Sequence, residues 1–200
     1  MKTNKTAIVI VDDNNDFFTD GGKLHKAIEP FLNKSNMVDN LNRLLINARD
    51  RKVKVIRIAM AFEPGYPELD EEPIGIFSVV KSSDAFQKGN WGANVAEVIH
   101  GSVDDILIEN KSSLCSFKST SLYEILKREG VETIALAGLL TNLCIESTMR
   151  TAYDYGYEVV GLTDCTGALS DEQHNASINH NWPLISKPMT STDLISILKD

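Results

Sequence analysis

Ala7-Ile8-Val9-Ile10-Val11-Asp12 is a run of five apolar residues that ends directly at an acid. Continuous apolar runs of this length are typical of strands that are buried on both faces of a parallel sheet. Two further runs have the same form: Asp105-Ile106-Leu107-Ile108 leads towards Lys111, and Thr133-Ile134-Ala135-Leu136-Ala137 leads through residues 138–143 to Cys144. Ligands of open parallel sheets bind beyond the carboxyl ends of the strands. We therefore expect Asp12, Lys111 and Cys144 to meet there, an arrangement that favours nucleophilic catalysis.

Helical and strand-like patterns alternate along most of the remaining chain. Six apolar residues share a helical face, Met37, Val38, Leu41, Leu44, Leu45 and Ala48, and residues 53–59 then read as a buried strand. Later predicted elements are a helix with Ser121 and Glu124 in capping-box spacing, strands at 133–137, 157–162 and 183–186, and helices that begin at Ser170 and Thr190. Six strands separated by helices predict one doubly wound α/β domain over residues 1–200.

Residues 62–94 interrupt this alternation. The segment holds three of the six prolines, several glycines and no sustained period, which predicts a long loop excursion that is compatible with a lid over the site. Its aromatic residues include Phe62, Tyr66, Phe77, Phe86 and Trp91. These side chains either wall a flat, planar substrate or anchor the loop to the core or to a neighbouring subunit.

Composition and charge exclude several classes of protein. The chain has 200 residues and 42% hydrophobic residues, and no apolar run approaches the roughly 18 residues that span a bilayer, so we expect no membrane partner. A net charge of −8 disfavours non-specific binding to nucleic acid. Cys115, Cys144 and Cys165 show no CxxC spacing, so neither a disulfide framework nor a structural zinc site is predicted. Reduced thiols and an N-terminus without a secretory pattern predict a cytoplasmic protein.

An acidic and amide-rich run, Asp12-Asp13-Asn14-Asn15-Asp16, follows the first predicted strand. A dinucleotide-binding protein would place a glycine-rich turn here, and these side chains would repel a pyrophosphate, so we expect no nucleotide cofactor. The run either binds a divalent cation or is a solvated strand end in which Asp16 caps a turn. No paired histidines supply further metal ligands, which favours the second interpretation.

Cys144 carries the strongest chemical argument from the residues alone. It lies at the start of a helix predicted to begin near Thr141, where unpaired amides and the helix dipole lower the pKa of a thiol. The alternative is that Cys144 is one more small side chain that packs between helix and sheet. Cys115 and Cys165 lack a comparable helix start, and we interpret both as packing residues.

Three segments resemble the isochorismatase-like cysteine hydrolases. Residues 7–17 are similar to the family's first-strand motif, an apolar run followed by D-x-Q-x-D-F. Lys111, Phe117 and Ser119-Thr120-Ser121-Leu122 resemble its lysine segment, and residues 138–148 are similar to its nucleophile loop, G-x-x-T-x-x-C-V-x-x-T. The matches follow the family's order along nearly the whole chain. The resemblance implies a single Rossmann-like, three-layer α/β/α domain with a six-stranded, mostly parallel sheet.

The resemblance also implies roles for individual residues. The family's Cys-Asp-Lys triad corresponds to Cys144, Asp12 and Lys111. A non-proline cis peptide corresponds to the bond between Leu139 and Leu140, and the backbone amides of Leu140 and Cys144 would form an oxyanion hole. Contacts with a small-molecule substrate are expected at Leu139, Leu140, Asn14, Phe17, Phe62 and Trp91. Relatives are commonly dimers or tetramers, so a homodimer or homotetramer is expected.

Departures from the family pattern narrow the predicted chemistry. Nicotinamidases carry an Asp-x-His pair for a metal after the second strand, whereas this chain has Ile58-Ala59-Met60-Ala61-Phe62, so we expect no catalytic metal. Asn14 replaces the usual glutamine. Residues 141–148 are similar to those of ureidoacrylate and biuret hydrolases, which favours cysteine-dependent hydrolysis of a small amide or ureido/N-carbamoyl substrate through a thioester. Alternatives are isochorismatase-type hydrolysis of a vinyl ether, or a non-catalytic or redox-sensing role.

Overall fold

Six parallel strands form one sheet in a computed structural model that describes residues 1–199. The strands are β1 (Thr6–Val11), β2 (Lys54–Met60), β3 (Ile106–Lys111), β4 (Thr133–Leu139), β5 (Glu158–Gly167) and β6 (Lys187–Met189). Their order across the sheet is β3-β2-β1-β4-β5-β6, and every neighbouring pair is parallel. The predicted parallel α/β fold is therefore confirmed.

The first strand lies at the centre of the sheet because its side chains are apolar on both faces. Residues 7–11 are all fully buried, between β2 on one side and β4 on the other. Ile8 and Ile10 pack into one hydrophobic cluster, whereas Val9 and Val11 pack into a second cluster on the opposite face. The continuous apolar run thus follows from the need to fill two cores with one strand.

Helices cover both faces of the sheet. They are α1 (Asn15–Phe18), α2 (His25–Ser35), α3 (Met37–Asp50), α4 (Ile76–Ser82), α5 (Leu122–Arg128), α6 (Glu146–Asp154), α7 (Asp171–Ala176) and α8 (Ser191–Ile197). Apolar residues of α2, α3 and α8 share one cluster, and those of α5 and α6 share the other. The three-layer α/β/α arrangement is confirmed. No helix within residues 1–199 is long and apolar enough to cross a bilayer.

Several predicted element boundaries differ from the structure. The strand predicted at 183–186 is wrong, because Trp182–Leu184 form a 3₁₀ turn and the strand follows at β6. The fully buried Trp182 side chain fixes that turn beneath the sheet. The predicted capping box is also absent, since the Ser121 side chain makes no capping hydrogen bond to α5. Helix α2 was not predicted from the sequence.

The excursion at residues 62–94 contains more regular structure than the sequence indicates. It includes α4 and a 3₁₀ turn at Trp91–Ala93. Phe62 and Phe86 are fully buried and belong to the same hydrophobic cluster as α2 and α3. Much of this segment is therefore packed against the body of the protein.

Candidate active site

Asp12 and Lys111 form a buried ion pair at the carboxyl edge of the sheet. Asp12 directly follows β1 and has a left-handed backbone conformation, with φ +57°. Lys111 is the last residue of β3, two strands away in the sheet, and its Nζ lies 2.6 Å from Asp12 Oδ1. Both side chains are almost inaccessible to solvent, at 0% and 1% exposure. The long side chain of Lys111 thus reaches Asp12 beyond the carboxyl ends of the strands, where the sequence predicts that the two residues meet.

Cys144 reaches the same place from β4. The strand ends at Leu139, the peptide bond from Leu139 to Leu140 is cis, and a single turn of π-helix over Thr141–Ile145 presents Cys144 before α6 begins. The predicted cis bond is therefore confirmed. The thiol is buried and lies close enough to Asp12 and Lys111 to interact with both.

A glycine allows β4 to lie close to β1 beside this site. Gly138 has φ +108°, and a Cβ atom at this position would lie 2.1 Å from the carbonyl oxygen of Val11. No L-residue with a side chain fits that spacing without displacing the backbone. The glycine of the nucleophile loop thus keeps the residues that follow β4 close to Asp12.

Burial raises the pKa of the Cys144 thiol far above its usual value, and the negative charge of Asp12 raises it further, against the opposing effect of Lys111. The predicted lowering of this pKa by a helix start is wrong. The regular α-helix begins only at Glu146, and desolvation of a thiolate outweighs any favourable dipole. The resting nucleophile is consequently a neutral thiol.

The carboxylate of this ion pair is placed to accept the proton of the Cys144 thiol. Burial raises the pKa of Asp12, and attraction to Lys111 only partly offsets the rise. For Lys111, burial lowers the pKa, but Asp12 and Cys144 together raise it above the usual value, so the amine stays protonated. Lys111 bonds to Asp12 Oδ1, whereas no nitrogen or oxygen donor within residues 1–199 bonds to the buried Oδ2, and the Cys144 thiol is the other group that interacts with this carboxylate. One oxygen of Asp12 is therefore bonded to lysine, and the other is placed to take the thiol proton.

A small cavity lies against the thiol. We call it the inner cavity. The gaps between its lining atoms add up to about 280 Å³, but they leave room for only about one water molecule. Asp12 and Cys144 supply its only ionisable side chains among the described residues, and every other lining side chain is apolar. The apolar walls include Phe17, Met60, Phe77, Val80, Phe86 and Leu140.

The predicted substrate contacts are distributed unevenly around this cavity. Phe17 and Leu140 line it, whereas Leu139, Asn14, Phe62 and Trp91 do not. The Asn14 amide bonds to the Met60 backbone and to the Ala93 carbonyl. Trp91 is 40% exposed and its indole donates to Glu97 over 2.8 Å. Roles for these residues in substrate binding stay predictions.

Of the walls contributed by α4, Phe77 was among the aromatic residues named as possible walls, whereas Ile76 and Val80 were missed from the sequence. Ile76, Phe77 and Val80 all line the inner cavity. Ile76 and Val80 are four residues apart, so they lie on one face of a helix. That spacing is the signal that would have indicated a short helix over the site within the predicted loop.

The acidic run after β1 is buried rather than solvated. Asp13 pairs with Arg57 at 2.5 Å, and Asp16 accepts the backbone N–H groups of Lys23 and Phe86. These bonds tie the second half of the excursion to the loop that carries Asp12. Within residues 1–199, no group of three histidine, cysteine or acidic side chains is arranged to hold a metal ion. The residues after β2 likewise offer no imidazole or carboxylate at the nicotinamidase metal position.

A parallel α/β sheet with a buried thiol, a carboxylate and an ammonium group at its carboxyl edge is an arrangement suited to an enzyme. The sequence places the chain in a class of hydrolases. A family model, the isochorismatase domain, matches residues 6–193, and the chain belongs to this family of hydrolases.

Individual relatives extend the comparison. The chain is 29% identical over 199 residues to the isochorismatase family protein YwoC of Bacillus subtilis. The matched region covers 98% of this chain and 95% of YwoC. It is 25% identical over 183 residues to the ureidoacrylate amidohydrolase RutB of Rhizobium rhizogenes, covering 86% and 74% of the two chains. A cysteine hydrolase from Pseudomonas syringae shares the fold, with a TM-score of 0.81 at 21% identity over 98% of this chain and 93% of that one.

Proposed function

We propose that the protein hydrolyses a small amide or ureido/N-carbamoyl substrate through a thioester on Cys144, with Asp12 and Lys111 completing a triad. The observation that carries the proposal is the buried Asp12 oxygen that no nitrogen or oxygen donor bonds, beside the Cys144 thiol in one cavity. A desolvated carboxylate oxygen without an N–H or O–H donor is costly for a fold to keep, and proton transfer from the thiol gives it a use.

The first half of the reaction transfers one proton and exchanges one bond. Asp12 Oδ2 takes the thiol proton as the sulfur of Cys144 attacks the carbonyl carbon of the substrate. The two events coincide because a free thiolate is unfavourable at this buried position. Lys111 keeps its proton. Its positive charge compensates the negative charge while that charge moves from the Asp12 carboxylate to the sulfur of Cys144. The carbon–nitrogen bond then breaks, Asp12 returns the proton to the leaving nitrogen, and a thioester remains.

Water completes the cycle. Asp12, again a carboxylate, takes a proton from a water molecule while the oxygen of that water attacks the thioester carbon. The departing sulfur of Cys144 then recovers the proton from Asp12. We propose that the backbone amides of Leu140 and Cys144 donate to the oxyanion in both halves. Each such donor contributes about 3–4 kcal/mol in comparable acyl-transfer sites.

The named activity of RutB supports a reaction at a carbon–nitrogen bond, because that relative covers most of this chain. The burial of Cys144 and its raised pKa argue against redox sensing, which requires an accessible thiolate. We also propose a cytoplasmic protein, in keeping with three free cysteines, and a homodimer or homotetramer.

The proposal is tested by ammonia release from a panel of small amides, ureido acids and N-carbamoyl amino acids. Release by the native enzyme should disappear in Cys144→Ala. Cys165→Ala is the matched control, since Cys165 is also buried but lies in β5 away from the inner cavity. Equal loss in both variants, or unchanged release in Cys144→Ala, would contradict the proposal.

A further inference from the structure

We infer that the part of the substrate that enters the inner cavity is uncharged and largely apolar, so that carboxylate-bearing acyl groups are rejected. The inference rests on the proposed function, because it names the substrate class of the same site. It begins from the lining side chains, which are apolar except for the two groups that react.

No cation is free to receive a carboxylate in this cavity. Lys111, the nearest positively charged group to the reacting atoms, is already bonded to Asp12 at 2.6 Å and does not line the cavity. Arg57 is bonded to Asp13 and to the carbonyl oxygens of Ala96 and Ile99. Among the described residues, no other lysine or arginine reaches the inner cavity.

The one fixed charge that faces the cavity has the wrong sign for an anion. The Asp12 carboxylate faces the cavity, and a substrate carboxylate beside it would be both desolvated and repelled. An uncharged amide meets neither penalty. Its carbonyl oxygen needs only backbone donors, and a small alkyl group gains contact with Phe17, Met60 and Val80 when these walls part to admit it.

We place the access route through a larger, polar space that we call the outer cavity. It has a water-accessible volume of about 490 Å³ and shares Phe77 and Leu114 with the inner cavity. Glu68, Asp70 and Lys118 line the outer cavity, so charged groups are tolerated there. The boundary between charged and apolar surroundings therefore lies at Phe77 and Leu114, directly before the thiol.

Two alkylating reagents of nearly equal size test this selectivity without knowledge of the substrate. Iodoacetamide is neutral and iodoacetate is anionic, and peptide mass spectrometry gives the rate of modification at each cysteine separately. Cys115 is the internal control, because it is half-buried and lines the outer cavity. The preference for iodoacetamide should be at least about 100-fold larger at Cys144 than at Cys115, given the cost of burying an unpaired charge.

A pair of variants separates local charge from global charge. Ile76→Arg adds a cation at the wall of the inner cavity and should reduce the preference for iodoacetamide at Cys144 by about tenfold or more. Val79→Arg adds the same charge to the same helix at a side chain that is 47% exposed and does not line the cavity, so the preference should not change.

Two results would overturn the inference: equal reagent preferences at Cys144 and Cys115, or no reaction of iodoacetamide at Cys144. A matched substrate pair, butyramide and succinamate, extends the test to turnover, with only butyramide expected to be hydrolysed. Succinamate hydrolysis that depends on Cys144 would refute the selectivity and leave the proposed function standing. Hydrolysis that is independent of Cys144 would refute the function and leave the alkylation result to decide the selectivity.

Discussion

At the residue level, the structure keeps the thiol of the proposed nucleophile, Cys144, protonated. Burial and the Asp12 carboxylate both raise the pKa of the thiol, and the adjacent ammonium of Lys111 does not overcome them. Reactivity at neutral pH therefore depends on proton transfer at the moment of attack, and Asp12 is the group placed to receive the proton. The nucleophile and its base act as one unit.

Asp12→Asn separates the acidity of the thiol from catalysis. Removal of the carboxylate charge should lower the pKa of Cys144, because Asp12 is one of the causes that raise it. The same variant should lose at least about 1,000-fold in kcat, since no base remains to take the proton. The pH dependence of Cys144 alkylation measures the first effect and steady-state kinetics the second. A thiol pKa that rises in Asp12→Asn would show that the carboxylate is not close to the sulfur.

The acid limb of the pH profile reports the Asp12 carboxyl. Because burial raises the pKa of Asp12, its base form should be lost as the pH falls through a value above the ordinary carboxyl range. Lys111→Met should move this limb to still higher pH, since the attraction that lowers the Asp12 pKa disappears. The measurement is kcat/KM across pH for the two proteins. A limb at the usual aspartate pKa in the native enzyme would contradict the burial argument.

Residue positions are more predictable than residue environments. The three reacting residues follow apolar runs, and parallel strands bring such positions to one edge, so the sequence alone is enough to group Asp12, Lys111 and Cys144. The sign of the Cys144 pKa shift could not be predicted in this way, because burial depends on the packing of distant segments around the thiol. The backbone bonds of Asn14 depend likewise on segments that are 46 and 79 residues away.

At the level of secondary structure, the approach of β4 to β1 depends on a residue without a side chain. Gly138→Ala should lower the free energy of unfolding by at least about 3 kcal/mol, through a clash with the Val11 carbonyl and a left-handed backbone. Gly156→Ala is the matched control: it also has a positive φ, but open space surrounds its Cβ position, so about 1–2 kcal/mol is expected. Urea denaturation gives both values. Equal losses would remove the argument from close approach.

Helix α4 separates the inner cavity from the outer one. Phe77→Ala should widen that boundary and increase the rate of Cys144 alkylation by iodoacetamide several-fold, because the Phe77 side chain lines both cavities and narrows the passage between them. Val79→Ala, an exposed position on the same helix, should leave the rate unchanged. The rate at Cys115 in the same samples corrects for reagent concentration. An unchanged Cys144 rate in Phe77→Ala would place the entrance elsewhere.

Long apolar strands and capped helices could be predicted from the sequence, whereas α2 and α4, which begin without a side-chain cap, could not. The N-cap bond from Gln173 to Ser170 and the capping box of Thr190 and Asp193 both form. Ser121 has the same residue pattern without the bond, since its backbone does not adopt the extended conformation of those caps. Helix α2 contains Pro30 at an interior position, and proline disfavours helix interiors, so the local sequence does not favour a helix of this length.

At the level of the whole molecule, the sheet and the excursion contribute different parts of the site. The sheet supplies the reacting groups at the ends of three strands, and the excursion supplies apolar walls from α4 and Phe86. The Asn14 amide donates to the Ala93 carbonyl and the Phe86 N–H donates to Asp16, and these two bonds anchor the later part of the excursion to the loop after β1. The apolar selectivity that we infer for the site would thus come from a segment outside the family's three motifs.

The most direct test of the account is detection of the acyl group on Cys144. The native enzyme, mixed with a substrate found in the ammonia assay and quenched in acid during turnover, should carry the substrate's acyl mass on the peptide that contains Cys144. The adduct should be absent from Cys144→Ala and should be removed from the native peptide by hydroxylamine, as expected of a thioester. Steady turnover in Cys144→Ala, or an acyl mass on any other residue, would contradict the account.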